Sequence, residues 1–150
     1  MAGSTELGPE LGGRLGYLFK RAFLGLEELH AEYLAPWGLN GRELTVLLLL
    51  DGHEPESQQQ AAGRLGVDRT TMVGLLDGLE AKGLLAREPD PADRRRNVIV
   101  LTATGQRTLT DAKAASDAAE RRLLEPLTPR DADRLRAALD RIAEGLRPPH

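Results

Sequence analysis

The sequence predicts a mainly α chain that carries one small β-hairpin, and three observations lead there. Apolar residues recur at steps of three and four over most of the 150 positions, the period of amphipathic helices. Polar caps (Asn40, Ser57, Asp68, Thr128) and glycine stops (Gly66, Gly83) cut that pattern into separate helices. Between Leu84 and Leu101 the period changes: two short apolar runs flank eight residues holding two prolines and the Arg94–Arg96 triplet, which reads as strand, exposed turn, strand.

In order, Met1 to Pro9 lack periodicity and predict a frayed tail. From Leu11 on, Leu15, Leu18, Ala22, Leu26, Leu29 and Tyr33 form the stripe of a helix of about six turns. Phe19 and Phe23 widen that stripe, and Pro36-Trp37-Gly38 ends the helix in a turn. Asn40 with Glu43 makes a capping box for a helix to Asp51, whose Val46–Leu50 run is apolar all round and predicts a central position. Ser57 opens a short helix, Gln58 to Leu65, closed by Gly66, and Asp68 opens another to about Lys82, closed by Gly83. Two short helices joined at a glycine corner match a helix-turn-helix. After the strands Leu84–Glu88 and Asn97–Leu101 come two helices. The first has the stripe Leu109, Ala112, Ser116, Ala119, Leu123; the second starts at Thr128-Pro129 and has the stripe Leu135, Leu139, Ile142, Leu146.

Composition narrows the function. Without cysteine there is no disulfide, thiolate metal site or thiol redox chemistry. No leader-like segment is evident and the Val46–Leu50 run is too short for a bilayer, so a soluble cytoplasmic chain without a membrane role is expected. The net charge of -3 is uneven: Arg64–Arg107 holds eight Arg or Lys against six Asp or Glu, leaving twelve against seventeen elsewhere. The hairpin region is therefore the basic part. His30, His53 and His150 lack metal-ligand spacing, no serine sits in a nucleophile elbow and no glycine loop forms a phosphate cradle, so no catalytic constellation and no cofactor site assemble.

Three strings carry a likeness: LNGRELTVLLLL, RLGVDRTTMVGLLDGLEAKGLLARE and, most specific, DPADRRRNVIVLTATG. In these the chain resembles the MarR (multiple antibiotic resistance regulator) family of winged-helix transcription factors, from about Leu11 to Leu146. The resemblance implies a winged helix-turn-helix lobe over 41–102 and dimerisation helices over 10–36 and 103–146. It also implies a cytoplasmic homodimer that binds a palindromic double-stranded DNA operator, usually as a repressor.

On a helical wheel Met72, Val73, Leu75, Leu76 and Leu79 share one face, which turns Thr70, Gly74 and Asp77 outward. That small polar face suits the major groove, with Thr70 and Thr71 toward bases or phosphates and Arg69 reaching guanine or phosphate from the helix start. The plainer reading is that the threonines and Asp68 only cap the helix. Gly74 and Gly78 stand where relatives often carry Arg or Lys, which moves weight to the wing. There the resemblance assigns Asp93 and Arg95 to an Asp-x-Arg pair: Arg95 enters the minor groove and Asp93 steers it by a bidentate bond. Arg94 and Arg96 are expected on phosphates, and Arg64, Gln58, Gln59 and Lys82 as further backbone contacts. The plainer reading of the triplet is a solvated charge run.

The terminal helices present more apolar stripe than the helix-turn-helix can cover, so a homodimer is expected, the rival being a monomer that packs the stripes internally. In relatives a small phenolic or other aromatic effector binds between dimer helices and lobe; His30, Tyr33 and Trp37 fall near that junction, although such residues also serve as packing. The rival function is a winged-helix interaction or ligand-binding module without specific DNA binding.

Overall fold

The computed structural model describes residues 7–148. Helix α1, Pro9–Gly12, is followed by α2, Leu15–Leu34, a 3-10 turn at Ala35–Trp37, α3 Gly41–Asp51, α4 Gln58–Leu65 and α5 Arg69–Ala81. Strands β1 Leu85–Pro89 and β2 Asn97–Leu101 pair before α6 Ala103–Leu123 and α7 Pro129–Gly145. The expected fold class is present, a mainly helical chain with one antiparallel hairpin.

Local chemistry accounts for the boundaries. Asn40 accepts from the Glu43 N–H at 2.9 Å while the Asn40 N–H donates to Glu43 Oε1 at 3.2 Å, and Ser57 and Gln60 repeat the arrangement for α4. Asp68 caps α5 through the Thr71 N–H at 2.8 Å, and Thr128 caps α7 with Pro129 in the first turn. Gly66 and Gly83 adopt the left-handed φ of +64° and +75° that ends a helix cheaply only in glycine.

Three expectations need correction. The six-turn first helix is split: Gly12-Gly13 interrupts it and Arg14 is extended, since paired glycines are poor helix formers. The segment foreseen as tail already turns helical at Pro9; its first six residues lie outside the described ones. Helix α3 is central, touching α2, α5, α6 and β2, yet it is not apolar-buried all round, because Leu48 is 39% exposed while Val46 and Leu47 are fully buried.

The core joins Leu34, Leu44, Val46, Leu47, Met72, Leu76, Leu79, Leu85, Ile99 and Leu109. It lies inside the lobe and at its seam with α2 and α6. In the hairpin Arg87 sits opposite Ile99 and Pro89 opposite Asn97. The Ile99 N–H donates to the Glu56 carbonyl at 2.9 Å, so the chain before α4 adds a one-residue third strand that the sequence reading missed.

The Leu-Thr-x-x-Gly segment has a structural reason. Thr102 accepts from the Gly105 N–H at 2.9 Å to cap α6 and donates to the Gly83 carbonyl at 2.6 Å. A Cβ on Gly105 would run into the Leu84 carbonyl, so only glycine lets α6 pass this close to the start of β1.

Helix α7 buries none of its residues: Leu135, Leu139 and Ile142 are 40%, 41% and 53% exposed. With Leu15, Leu18, Phe19, Phe23 and Leu123 its stripe borders an open apolar concavity of about 400 Å³. Among the described residues no helix is long and apolar enough to cross a membrane, and no cluster of His, Cys, Asp and Glu could hold a metal.

Candidate nucleic-acid interface

Helix α5 turns Met72, Leu76 and Leu79 into the core and leaves Arg69, Thr70, Gly74 and Asp77 exposed, the face the wheel foretold. Its start is tightly built. Asp68 Oδ2 accepts from the Thr71 hydroxyl at 2.8 Å in addition to the backbone bond, and these two bonds, the backbone one first, hold the Asp68 carboxyl below its ordinary pKa. The Thr71 hydroxyl bonds the cap, while Thr70 is exposed. The α5 N-terminus therefore offers Arg69 and Thr70. Gly74 and Gly78 have nothing within 4 Å of where a Cβ would stand, so they add neither bulk nor charge to the outward face, whose exposed charges are the acids Asp77 and Glu80.

The wing tip is folded by its own aspartates. The Asp90 N–H donates to the Arg96 carbonyl at 2.8 Å, Asp90 Oδ1 accepts from the Ala92 N–H at 2.9 Å, and the Arg96 N–H donates to the Asp93 carbonyl at 3.0 Å. Asp93 Oδ1 takes both the Arg95 N–H, at 3.1 Å, and Arg95 Nε, at 3.3 Å. The expected bidentate pairing is not formed: one carboxylate oxygen meets one guanidinium nitrogen. The Arg95 side chain remains 92% exposed. Among the described residues Arg69, Arg94 and Arg96 make no ion pair. Arg69 and Arg96 share the lining of a concavity of about 510 Å³ with Ser57, Gln58, Gln59 and Asn97, between α4, the start of α5 and the wing. Two uncompensated guanidiniums across a polar groove make a place for a phosphodiester backbone.

Other expected contacts are occupied. Arg64 Nε donates to both oxygens of Glu56, at 3.0 and 2.8 Å, and Glu56 is only 7% exposed. A surface cation was foreseen; the fold uses it to neutralise a buried carboxylate beside the third strand. Lys82 likewise donates to Glu43 Oε2 at 2.7 Å and to the Gly38 carbonyl at 2.6 Å, tying the end of α5 to the turn that follows α2. Sequence reasoning passed over Arg87. It donates to Glu80 Oε1 at 2.8 Å, Asp77 Oδ1 at 3.0 Å and Gln58 Oε1 at 3.4 Å, and only an arginine on a strand after two acids spaced three apart on a helix hinted at it.

At the helical junction His30 Nε2 shares a 3.0 Å hydrogen bond with Ser116 Oγ, and its Nδ1 would lie 2.8 Å from a Cβ on Gly41. That links α2, α6 and the start of α3 through one ring. Tyr33 is half-buried nearby, and Trp37 packs against the core. The three residues thus lie at one junction, His30 with a partner in its own chain.

Comparison with known proteins gives a consistent picture. A sequence model described as the MarR family matches residues 37–96. A 92-residue stretch, 61% of this chain, is 28% identical to the HTH-type transcriptional repressor NicR of Pseudomonas putida and spans only 58% of that protein's length. The transcriptional regulator HosA of Escherichia coli O111:H- is 30% identical over 74% of this chain and 86% of its own. Among solved structures, the transcriptional repressor CouR bound to a 23-mer DNA duplex superposes with a TM-score of 0.83 at 39% identity, over 89% of this chain and 95% of that one. CouR from Rhodococcus jostii RHA1 bound to p-coumaroyl-CoA superposes with a TM-score of 0.76 at 36% identity, over 89% and 94%.

Proposed function

The chain belongs to the MarR family of transcriptional regulators, and from that premise we propose that it is a repressor that binds a palindromic operator as a homodimer. Residues 10–36 and 103–146 form the dimerisation region and 41–102 the DNA-binding lobe. The recognition helix α5 lies in the major groove with Arg69 and Thr70 at its leading end, and Arg95 enters the minor groove beside it. Arg94 and Arg96 hold phosphates; Gly74 admits the helix close to the bases.

The observation that carries the reading is the wing: three adjacent arginines at a turn folded by Asp90 and Asp93, two of them without an ion pair and the third 92% exposed. A solvated charge run needs no such scaffold. The dimer is supported by the uncovered apolar stripes of α2 and α7, which border one continuous concavity. That a similar repressor has been solved both on DNA and with p-coumaroyl-CoA supports release by an aromatic ligand, here an aryl acid or its thioester, at the junction of His30, Tyr33 and Trp37. Such a ligand acts only if it prefers the conformation that does not fit DNA.

The test is titration of fluorescent duplexes enriched from a randomised pool, at several salt concentrations. Tight, steeply salt-dependent binding that Arg95→Ala weakens by about tenfold or more supports the reading, and p-coumaroyl-CoA, p-coumaric acid and benzoate are then titrated into the complex. Binding that never exceeds the non-specific level would sink it and favour the interaction module, for which the acidic net charge and the bare Gly74–Gly78 surface speak.

A further inference from the structure

Arg87 is the residue on the DNA-facing side whose bonds join three elements. It lies on β1 opposite Ile99, so both side chains share the inner face of the hairpin. From there its stem runs over the lobe, 26% exposed, and its head reaches Asp77 and Glu80 on α5 and Gln58 on α4. Asp77 and Glu80 are one helical turn apart, and their side chains are 61% and 44% exposed. Left alone, two carboxylates on the outer side of the recognition helix would repel each other and the phosphates flanking a groove.

We propose that Arg87 is a positioning residue that clamps the recognition helix to the wing, so that α5 and Arg95 present to DNA as one rigid unit. The inference rests on the reading of the chain as a DNA-binding regulator. Two properties are needed, and one residue supplies both. A guanidinium can bond two separate carboxylates at once through its two terminal nitrogens, which a lysine ammonium does only as a mobile point charge. The bond also crosses from strand to helix, and it sets the angle of the hairpin at the base of the wing. Among the described residues Arg95 has no comparable anchor: its side chain bonds Asp93, on the wing itself. The wing tip takes its direction from its base, and that base is where Arg87 is tied.

The role differs from charge cancellation, and variants separate the two. In the full-length protein, Arg87→Ala should lower affinity for a pool-enriched duplex by about tenfold or more while affinity for random duplex changes little. Adding Arg95→Ala should then cost less than it does in the wild type, because a misdirected Arg95 has little left to lose. Arg87→Lys keeps the charge and should still weaken the enriched duplex. The triple variant Arg87→Ala, Asp77→Asn, Glu80→Gln removes both acids with the clamp and should stay weak. Recovery of wild-type affinity by the triple variant, or strictly additive losses from Arg87→Ala and Arg95→Ala, overturns the clamp. A readout without DNA keeps the inference separate from the function: amide hydrogen exchange over residues 90–96 should quicken in folded Arg87→Ala, and an unchanged wing rejects the clamp whether or not the wild type binds DNA.

Discussion

The lobe around α3 and the terminal helix α7 are both rich in leucine, yet the same side chain behaves oppositely in them. Leu44, Leu47, Leu76 and Leu79 are all but inaccessible, whereas Leu135, Leu139 and Leu146 are 40%, 41% and 79% exposed. Elements at several angles enclose the lobe leucines, and each fully buried one is worth about 2 kcal/mol. The α7 stripe is equally regular and faces an open concavity. Amphipathic period says that a face will be covered; the partner decides by what. The lobe encloses its leucines within one chain, and the arm leaves its own uncovered, as the proposed dimer requires.

Breaking the seam between the lobe and α6 should have the largest effect. Gly105→Ala puts a methyl into the Leu84 backbone, and destabilisation of about 3 kcal/mol or more is expected in chemical denaturation; a near-neutral result would mean that α6 can slide away from β1. Leu139→Glu tests the arm alone. The dimer dissociation constant should rise by about a hundredfold in sedimentation measurements, with the near-ultraviolet signature of the lobe unchanged. Within the lobe, two arginines should part company. Arg64→Ala strands the buried Glu56 and should cost about 1–2 kcal/mol of stability with little change in DNA affinity. Arg96→Ala should leave stability alone and reduce the salt slope of DNA binding by about 1.

Smaller effects sharpen the picture of α5. Gly78→Ala meets open space and should stabilise the helix by up to about 1 kcal/mol, which raises the thermal midpoint by about 3 °C. Asp68→Asn should change little at neutral pH. Because the folded pKa of Asp68 lies below its ordinary 3.8, its ionised cap contributes stability above that value and loses it as pH falls through the folded one. The wild type should therefore lose stability slightly faster than the variant on acidification below about pH 4, which pH-dependent melting can check.

Much of the candidate interface was legible because its local scaffold is short-range. The Asn40–Glu43 box, the Ser57 and Asp68 caps, the glycine stops and the hairpin spacing act over two to four residues, and each appears where the sequence puts it. The wing arginines also needed only a turn to expose them. What local patterns did not reveal is the pairing between elements: Arg64, expected at the DNA backbone, bonds Glu56 from α4, Lys82 bonds Glu43 from 39 residues away, and Arg87 went unnoticed. Thr71, expected at bases or phosphates, also bonds Asp68 at its own cap.

The sequence by itself determined where each helix starts and stops, which faces are apolar and that the hairpin tip is cationic, since capping, period and turn chemistry are local. Only the tertiary structure decided which of the many arginines remain available to DNA. A guanidinium is paired or unpaired according to the carboxylates that folding brings within about 3 Å, and that encounter depends on how helices and strands are set against each other.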